Sequence, residues 1–136
     1  MMSDRVDHIG IAVNDVVEVA RFYSEALGVE VSEPEFEPTE GVKIAFLPTS
    51  SGLVELLEPV NEASAIRKFL DNRGEGMHHI CFEVLDIEAA MRQVVAFGAQ
   101  LIDEKPRHGR GGRKLAFVHP KSAHGVLIEL LELGKE

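Results

Sequence analysis

Residues 7–13 (DHIGIAV) alternate Ile or Val with other residues, the period of a strand whose successive side chains face opposite ways. The apolar spacing then changes. Val16, Val19, Ala20, Tyr23 and Leu27 recur at three- and four-residue intervals, which predicts a helix capped by Asn14 or Asp15 and ended by Gly28. Three short strands follow near 29–33, 42–48 and 53–59, separated by turns that contain Pro and Gly. The same pattern then starts again, with a strand at 78–84, a helix from Asp86 to Phe97, and strands near 99–103, 114–119 and 125–132. Between the two runs, NEASAIRKFLDNRGEG reads as a connecting helix closed by Gly74 and Gly76.

The two runs align residue by residue. His8 matches His79, Ile9 matches Ile80, Val13 matches Val84 and Asp15 matches Asp86. One residue is lost in the second helix before Gly28 matches Gly98. GVKIAFLP (41–48) then matches GRKLAFVH (112–119), and LVELLE (53–58) matches LIELLE (127–132), which sets Glu55 against Glu129. The expected fold is α+β: tandem βαβββ modules forming a mostly antiparallel curved sheet that encloses a metal site. Its organisation is one domain over 1–136, with module 1 at about 5–60, a connecting helix at about 61–74 and module 2 at about 75–134.

Duplication supplies the candidate chemistry. A tandem repeat has a pseudo-twofold axis, so equivalent positions of its halves converge. In the first strand His8, Gly10 and Ala12 share a face, and in its repeat His79, Cys81 and Glu83 do. Both histidines are therefore expected to point away from the face packed under the helix, into the concave side of the sheet. Glu55 and Glu129 sit in mid-strand between apolar neighbours, where a lone buried carboxylate would be costly. Together His8, Glu55, His79 and Glu129 form a His₂Glu₂ set suited to a divalent ion such as Co²⁺, Mn²⁺, Fe²⁺, Ni²⁺ or Zn²⁺.

Composition narrows the partners. The net charge of −9 argues against nucleic acid or an anionic membrane surface. No apolar run reaches the length of a membrane span, and MMSDRVDHIG lacks the regions of a signal peptide. The single cysteine, Cys81, cannot form an internal disulfide, so a cytoplasmic location is expected. Lys105, Arg107, Arg110, Arg113, Lys114 and Lys121 gather in a stretch without an acid from 105 to 128, either a solvated basic loop or a place for an anionic substrate.

With His8, Glu55, His79 and Glu129 in place, the chain resembles the vicinal oxygen chelate superfamily. VELLEP (54–59), RGEGMHHICFEV (73–84) and above all HPKSAHGVLIELLE (119–132) resemble the methylmalonyl-CoA epimerase family within it. The resemblance implies a metal-dependent interconversion of (R)- and (S)-methylmalonyl-CoA, by abstraction of the C2 proton through a metal-stabilised enolate. It implies His8, His79 and Glu129 as ligands, beside Glu55 from the repeat, where some family members carry Gln; Co²⁺ is the first choice of ion, with Mn²⁺, Zn²⁺ or Ni²⁺ as alternatives. It also implies an acyl-CoA thioester as substrate and a homodimer. Some family members carry a glutamate base where this chain has Ile44, which moves the proton-transfer roles to Glu129 with Glu55 or Glu40. Lys121, Ser122 and Arg113 are the expected substrate contacts. Two other readings remain: a glyoxalase I-like enzyme acting on a glutathione hemithioacetal, and a metal-free small-molecule-binding module.

Overall fold

The computed structural model describes residues 2–134. Its strands and helices are β1 (Met2–Ala12), α1 (Val16–Arg21), β2 (Glu35–Glu37), β3 (Val42–Thr49), β4 (Gly52–Pro59), α2 (Ala65–Arg73), β5 (Gly76–Val84), α3 (Ile87–Phe97), β6 (Arg107–His108), β7 (Lys114–Val118) and β8 (Ile128–Glu132). The chain divides into two compact units, His8–His78 (the N-unit) and Met1–Asp7 with His79–Glu136 (the C-unit). The connecting helix α2 thus belongs to the N-unit, and the first residues of β1 to the C-unit.

In the N-unit the strands are hydrogen-bonded in the order β2-β3-β4-β1. β1 runs parallel to β4, with Gly10 opposite Glu55 and Ala12 opposite Leu57. β3 runs antiparallel to β4, with Phe46 opposite Glu55 and Ile44 opposite Leu57. One face buries Val13, Ala45, Leu47 and Leu56 against Val16 of α1. The other face buries Ala12, Val42, Ile44 and Leu57 against Ile66 and Leu70 of α2. Helix α2 therefore closes one end of the face that carries His8 and Glu55.

The C-unit repeats the plan in the order β5-β8-β7-β6. β5 is parallel to β8, with Cys81 opposite Glu129, and β7 is antiparallel to β8, with Phe117 opposite Glu129. Helix α3 packs Ile87, Ala90 and Met91 on Val84, Ala116, Val118 and Leu130. The opposite face holds Cys81, Leu115, Phe117 and Leu131.

The helix starts are built alike. The Asp15 carboxylate accepts from the backbone N–H groups of Val17 and Glu18, and that of Asp86 from Ala89. A second carboxylate arrives from the adjoining strand. Glu58 accepts from Val16 N–H at 2.8 Å, and Glu132 from Ile87 N–H at 2.9 Å. These acids stand three residues after Glu55 and Glu129, so the pleat turns them to the helix side.

Two sequence expectations are corrected. The first helix is α-helical only to Arg21 and continues as a π-helical turn over Phe22–Ala26. A π turn accommodates one inserted residue, and this is the residue by which the first helix exceeds the second in the repeat. The strands expected at 29–33 and 99–103 do not form. Ser32 exchanges two bonds with Phe46, one of them through its hydroxyl, and Leu101 makes only an isolated bridge to Val118. Val29, Val31 and Leu101 instead pack onto the cores under α1 and α3. Their apolar alternation reported burial rather than strand pairing. The outer strands are β2 and β6, a few residues further on.

Candidate metal centre

Each unit carries a buried histidine beside a strand glutamate. In the N-unit His8 Nε2 lies 3.5 Å from Glu55 Oε1. In the C-unit His79 Nε2 lies 3.2 Å from Glu129 Oε1. Local sequence explains why the pairs meet. The residue directly opposite Glu55 on β1 is Gly10, and the one opposite Glu129 on β5 is the small Cys81. Neither fills the space above the glutamate, so the histidine two residues earlier reaches the carboxylate diagonally. On the other side each glutamate is flanked by a phenylalanine, Phe46 or Phe117. The Phe117 ring also meets His79 edge-on, with centroids 6.2 Å apart. The repeated Phe in KIAF and KLAF was the sequence signal for this apolar wall.

These residues fit a divalent ion. Two ligand atoms each about 2.1 Å from one ion are separated by roughly 3.0 Å on an octahedral edge and roughly 3.4 Å on a tetrahedral one. The His–Glu separations of 3.2 and 3.5 Å fall in that range. The longer one exceeds an ordinary N–H···O hydrogen bond of about 2.7–3.2 Å. Each unit thus offers one imidazole nitrogen and one carboxylate oxygen, with remaining coordination positions left to water or substrate.

Other candidate residues lie elsewhere. Glu40 is exposed in the turn before β3, and its carbonyl accepts from the Ser64 hydroxyl that begins α2. The rung of Glu55 is that of Phe46, four residues beyond Val42 and so about 13 Å further along the strand. Glu40 is not brought to the His8–Glu55 pair. Ile44 is 4% exposed beneath Ile66 and Leu70. The Arg113 guanidinium is bound to Glu83 at 3.2 Å, to Asp7 at 3.5 Å and to the Glu132 carbonyl at 2.9 Å. It compensates the buried Glu83, a partner that periodicity alone had not identified. The Ser122 hydroxyl accepts from Gln100 N–H, and His119 Nδ1 accepts from Lys121 N–H. Much of the HPKS motif thus builds the 3₁₀ turn at Pro120–Ala123, leaving the Lys121 side chain exposed.

Residues 7–117 match the family model of the glyoxalase/bleomycin resistance protein/dioxygenase superfamily. The chain is 40% identical over 131 residues to the ethylmalonyl-CoA/methylmalonyl-CoA epimerase of Cereibacter sphaeroides, covering 95% of this chain and 98% of that protein. It is similar to the crystal structure of a hypothetical protein from Bacillus halodurans, with a TM-score of 0.91, 44% identity and coverage of 98% and 97% of the two chains. A variant of Streptomyces coelicolor methylmalonyl-CoA epimerase in complex with 2-nitronate-propionyl-CoA matches with a TM-score of 0.86 and 38% identity, over 99% of this chain and 100% of that one. The repeated βαβββ plan, the paired histidines and glutamates and these likenesses agree: the chain belongs to the glyoxalase/bleomycin resistance protein/dioxygenase superfamily and, within it, to the methylmalonyl-CoA epimerase family.

Proposed function

We propose that this chain epimerises methylmalonyl-CoA at C2, interconverting the (R) and (S) forms. The observation that carries this reading is the buried His–Glu pair repeated at equivalent positions, His8 with Glu55 and His79 with Glu129. Relatives named for this activity along nearly the whole chain support it. The four residues would hold one divalent ion, whose Lewis acidity would be supplied to the thioester and carboxylate oxygens of the substrate.

The C2 hydrogen lies between a thioester carbonyl and a carboxylate, so its removal leaves charge on the carbonyl oxygen. Inversion then requires a proton to return on the opposite face. Glu129 takes or returns the proton on one face through a carboxylate oxygen, and Glu55, its counterpart in the N-unit, serves the other. A phenylalanine stands opposite each glutamate in the strand register, and the Glu55 and Glu129 side chains are 15% and 6% exposed. The exposed Lys121 is suited to a CoA phosphate, whereas Arg113 and Ser122 are engaged within the fold.

We assign Co²⁺ as the ion, with Mn²⁺, Zn²⁺ and Ni²⁺ as alternatives, because mixed imidazole and carboxylate ligation suits all of them. A homodimer working in the cytoplasm completes the reading. It is supported by the family resemblance and by the lone buried thiol of Cys81. Among the described residues no helix is long and apolar enough to cross a membrane.

The test is NMR of one methylmalonyl-CoA stereoisomer in D₂O, with protein stripped of metal and then reconstituted with each ion in turn. Loss of the C2 proton signal and appearance of the second isomer should depend on metal. The reading is abandoned if reconstituted protein exchanges C2 no faster than buffer. Glu129→Gln and Glu55→Gln that both exchange at wild-type rates with full metal would remove the two carboxylates from the proton-transfer roles.

A further inference from the structure

Arg107 begins β6 opposite Leu115, and its guanidinium lies 5.0 Å above the Phe117 ring. That ring is the wall beside Glu129 and meets His79 edge-on. The cation is therefore one aromatic ring away from the His79–Glu129 pair, on the same face of the C-unit.

Its orientation is imposed. Arg107 Nε donates to Asp103 Oδ1, and the other oxygen of that carboxylate accepts from Phe117 N–H at 2.8 Å. The Asp103 side chain is 9% exposed, whereas that of Arg107 is 52% exposed. A buried carboxylate fixed to the strand thus grips the inner nitrogen, the ring supports the plane, and the two terminal nitrogens are left toward solvent. Among the described residues those terminal nitrogens make no hydrogen bond or ion pair. A planar guanidinium held by Nε and by one face presents its terminal N–H groups as a fork that fits the two oxygens of a carboxylate or phosphate. A solvated surface arginine needs neither the buried acid nor the aromatic seat. Arg113, six residues later, is occupied by Glu83, Asp7 and the Glu132 carbonyl.

We propose that Arg107 is a substrate-binding residue that receives an oxyanion of the acyl-CoA, positioned for it by Asp103 and Phe117. The inference rests on the epimerase reading for the identity of the substrate, but the oxyanion site itself does not. Its ligand is either the carboxylate next to the reacting carbon or a phosphate of CoA, and the experiment separates them.

Initial rates are measured for the metal-loaded wild type, Arg107→Gln and Arg107→Lys. Two substrates are used: methylmalonyl-CoA, and the phosphate-free thioester of methylmalonate with N-acetylcysteamine. Arg107→Gln should raise KM for methylmalonyl-CoA at least tenfold with kcat within about threefold, and Arg107→Lys should recover part of the loss. A KM defect kept with the short thioester assigns the carboxylate, and a defect lost with it assigns a phosphate. Metal content and Tm are followed alongside. An unchanged KM, or a loss of kcat that follows falling metal content, overturns the proposal and leaves Arg107 a packing residue. If the wild type gives no C2 exchange at all, the epimerase reading falls separately. The oxyanion site is then judged by calorimetric binding of malonyl-CoA, which Arg107→Gln must weaken at least tenfold for the proposal to stand.

Discussion

His79 Nε2 stands 3.2 Å from Glu129 Oε1, with side chains only 4% and 6% exposed. A carboxylate that far from water needs a compensating positive group or donor. An imidazole does this when protonated, and a shared divalent ion does it for both residues at once. The corresponding His8–Glu55 pair has the same residue types and a similar separation of 3.5 Å, so the arrangement belongs to the repeat.

Metal removal should therefore be felt in stability as well as activity. An ion present at about 100 times its Kd stabilises the folded state by about 2.7 kcal/mol, which for a chain of this size is roughly 10 °C in Tm. Scanning calorimetry before and after chelation should give that drop. His79→Ala should abolish it by weakening metal affinity more than about 100-fold, beyond the loss typical of an outer-shell residue. An equal Tm for chelated and loaded wild type would contradict metal binding.

Arg113→Ala should destabilise the protein without altering substrate affinity. It strands Glu83, which is 5% exposed, and removes the contact to Asp7. Breaking a fully buried pair costs about 3–5 kcal/mol; about 2 kcal/mol is expected here because solvent reaches the arginine. Urea unfolding checks the size, and adding Glu83→Ala should return part of the loss. A raised KM with unchanged stability would instead support Arg113 as a substrate contact.

Ile44→Glu should cost about 3 kcal/mol or more, since it places a carboxylate among Val42, Leu57, Ile66 and Leu70. Ile44→Val, which removes one methylene, should cost about 1 kcal/mol. The urea midpoints of the two variants decide whether this position tolerates an acid. Near-equal midpoints would mean that α2 yields there and that a base is structurally admissible.

The sequence by itself determined the duplication, nearly all the helices and long strands, and the four metal-ligand candidates. It could do so because these features repeat. A histidine or a strand glutamate alone is ambiguous, but His8 matched by His79 and Glu55 by Glu129 specify the same face of equivalent strands. The glutamates that cap helices, Glu58 and Glu132, also repeat, but their bonds to Val16 N–H and Ile87 N–H join residues 42 and 45 positions apart and appeared only in the fold.

Only the tertiary structure decided what the charged residues do. Arg107 and Arg113 are alike in sequence, six residues apart in one basic stretch. Arg113 is taken up by Asp7, 106 residues away, and by Glu83, 30 residues away. Arg107 is seated on Phe117 and gripped by Asp103, with its outer nitrogens open. Local pattern carries no information about which distant carboxylate the fold delivers to a given cation. For the same reason Ser122, within the most family-specific motif, turned out to hold Gln100. Hydrophobic periodicity records which side of the chain is buried, and that located the helices and the long strands but not the short outer ones. The pairing of charges is a long-range property that exists only once the strands are in register.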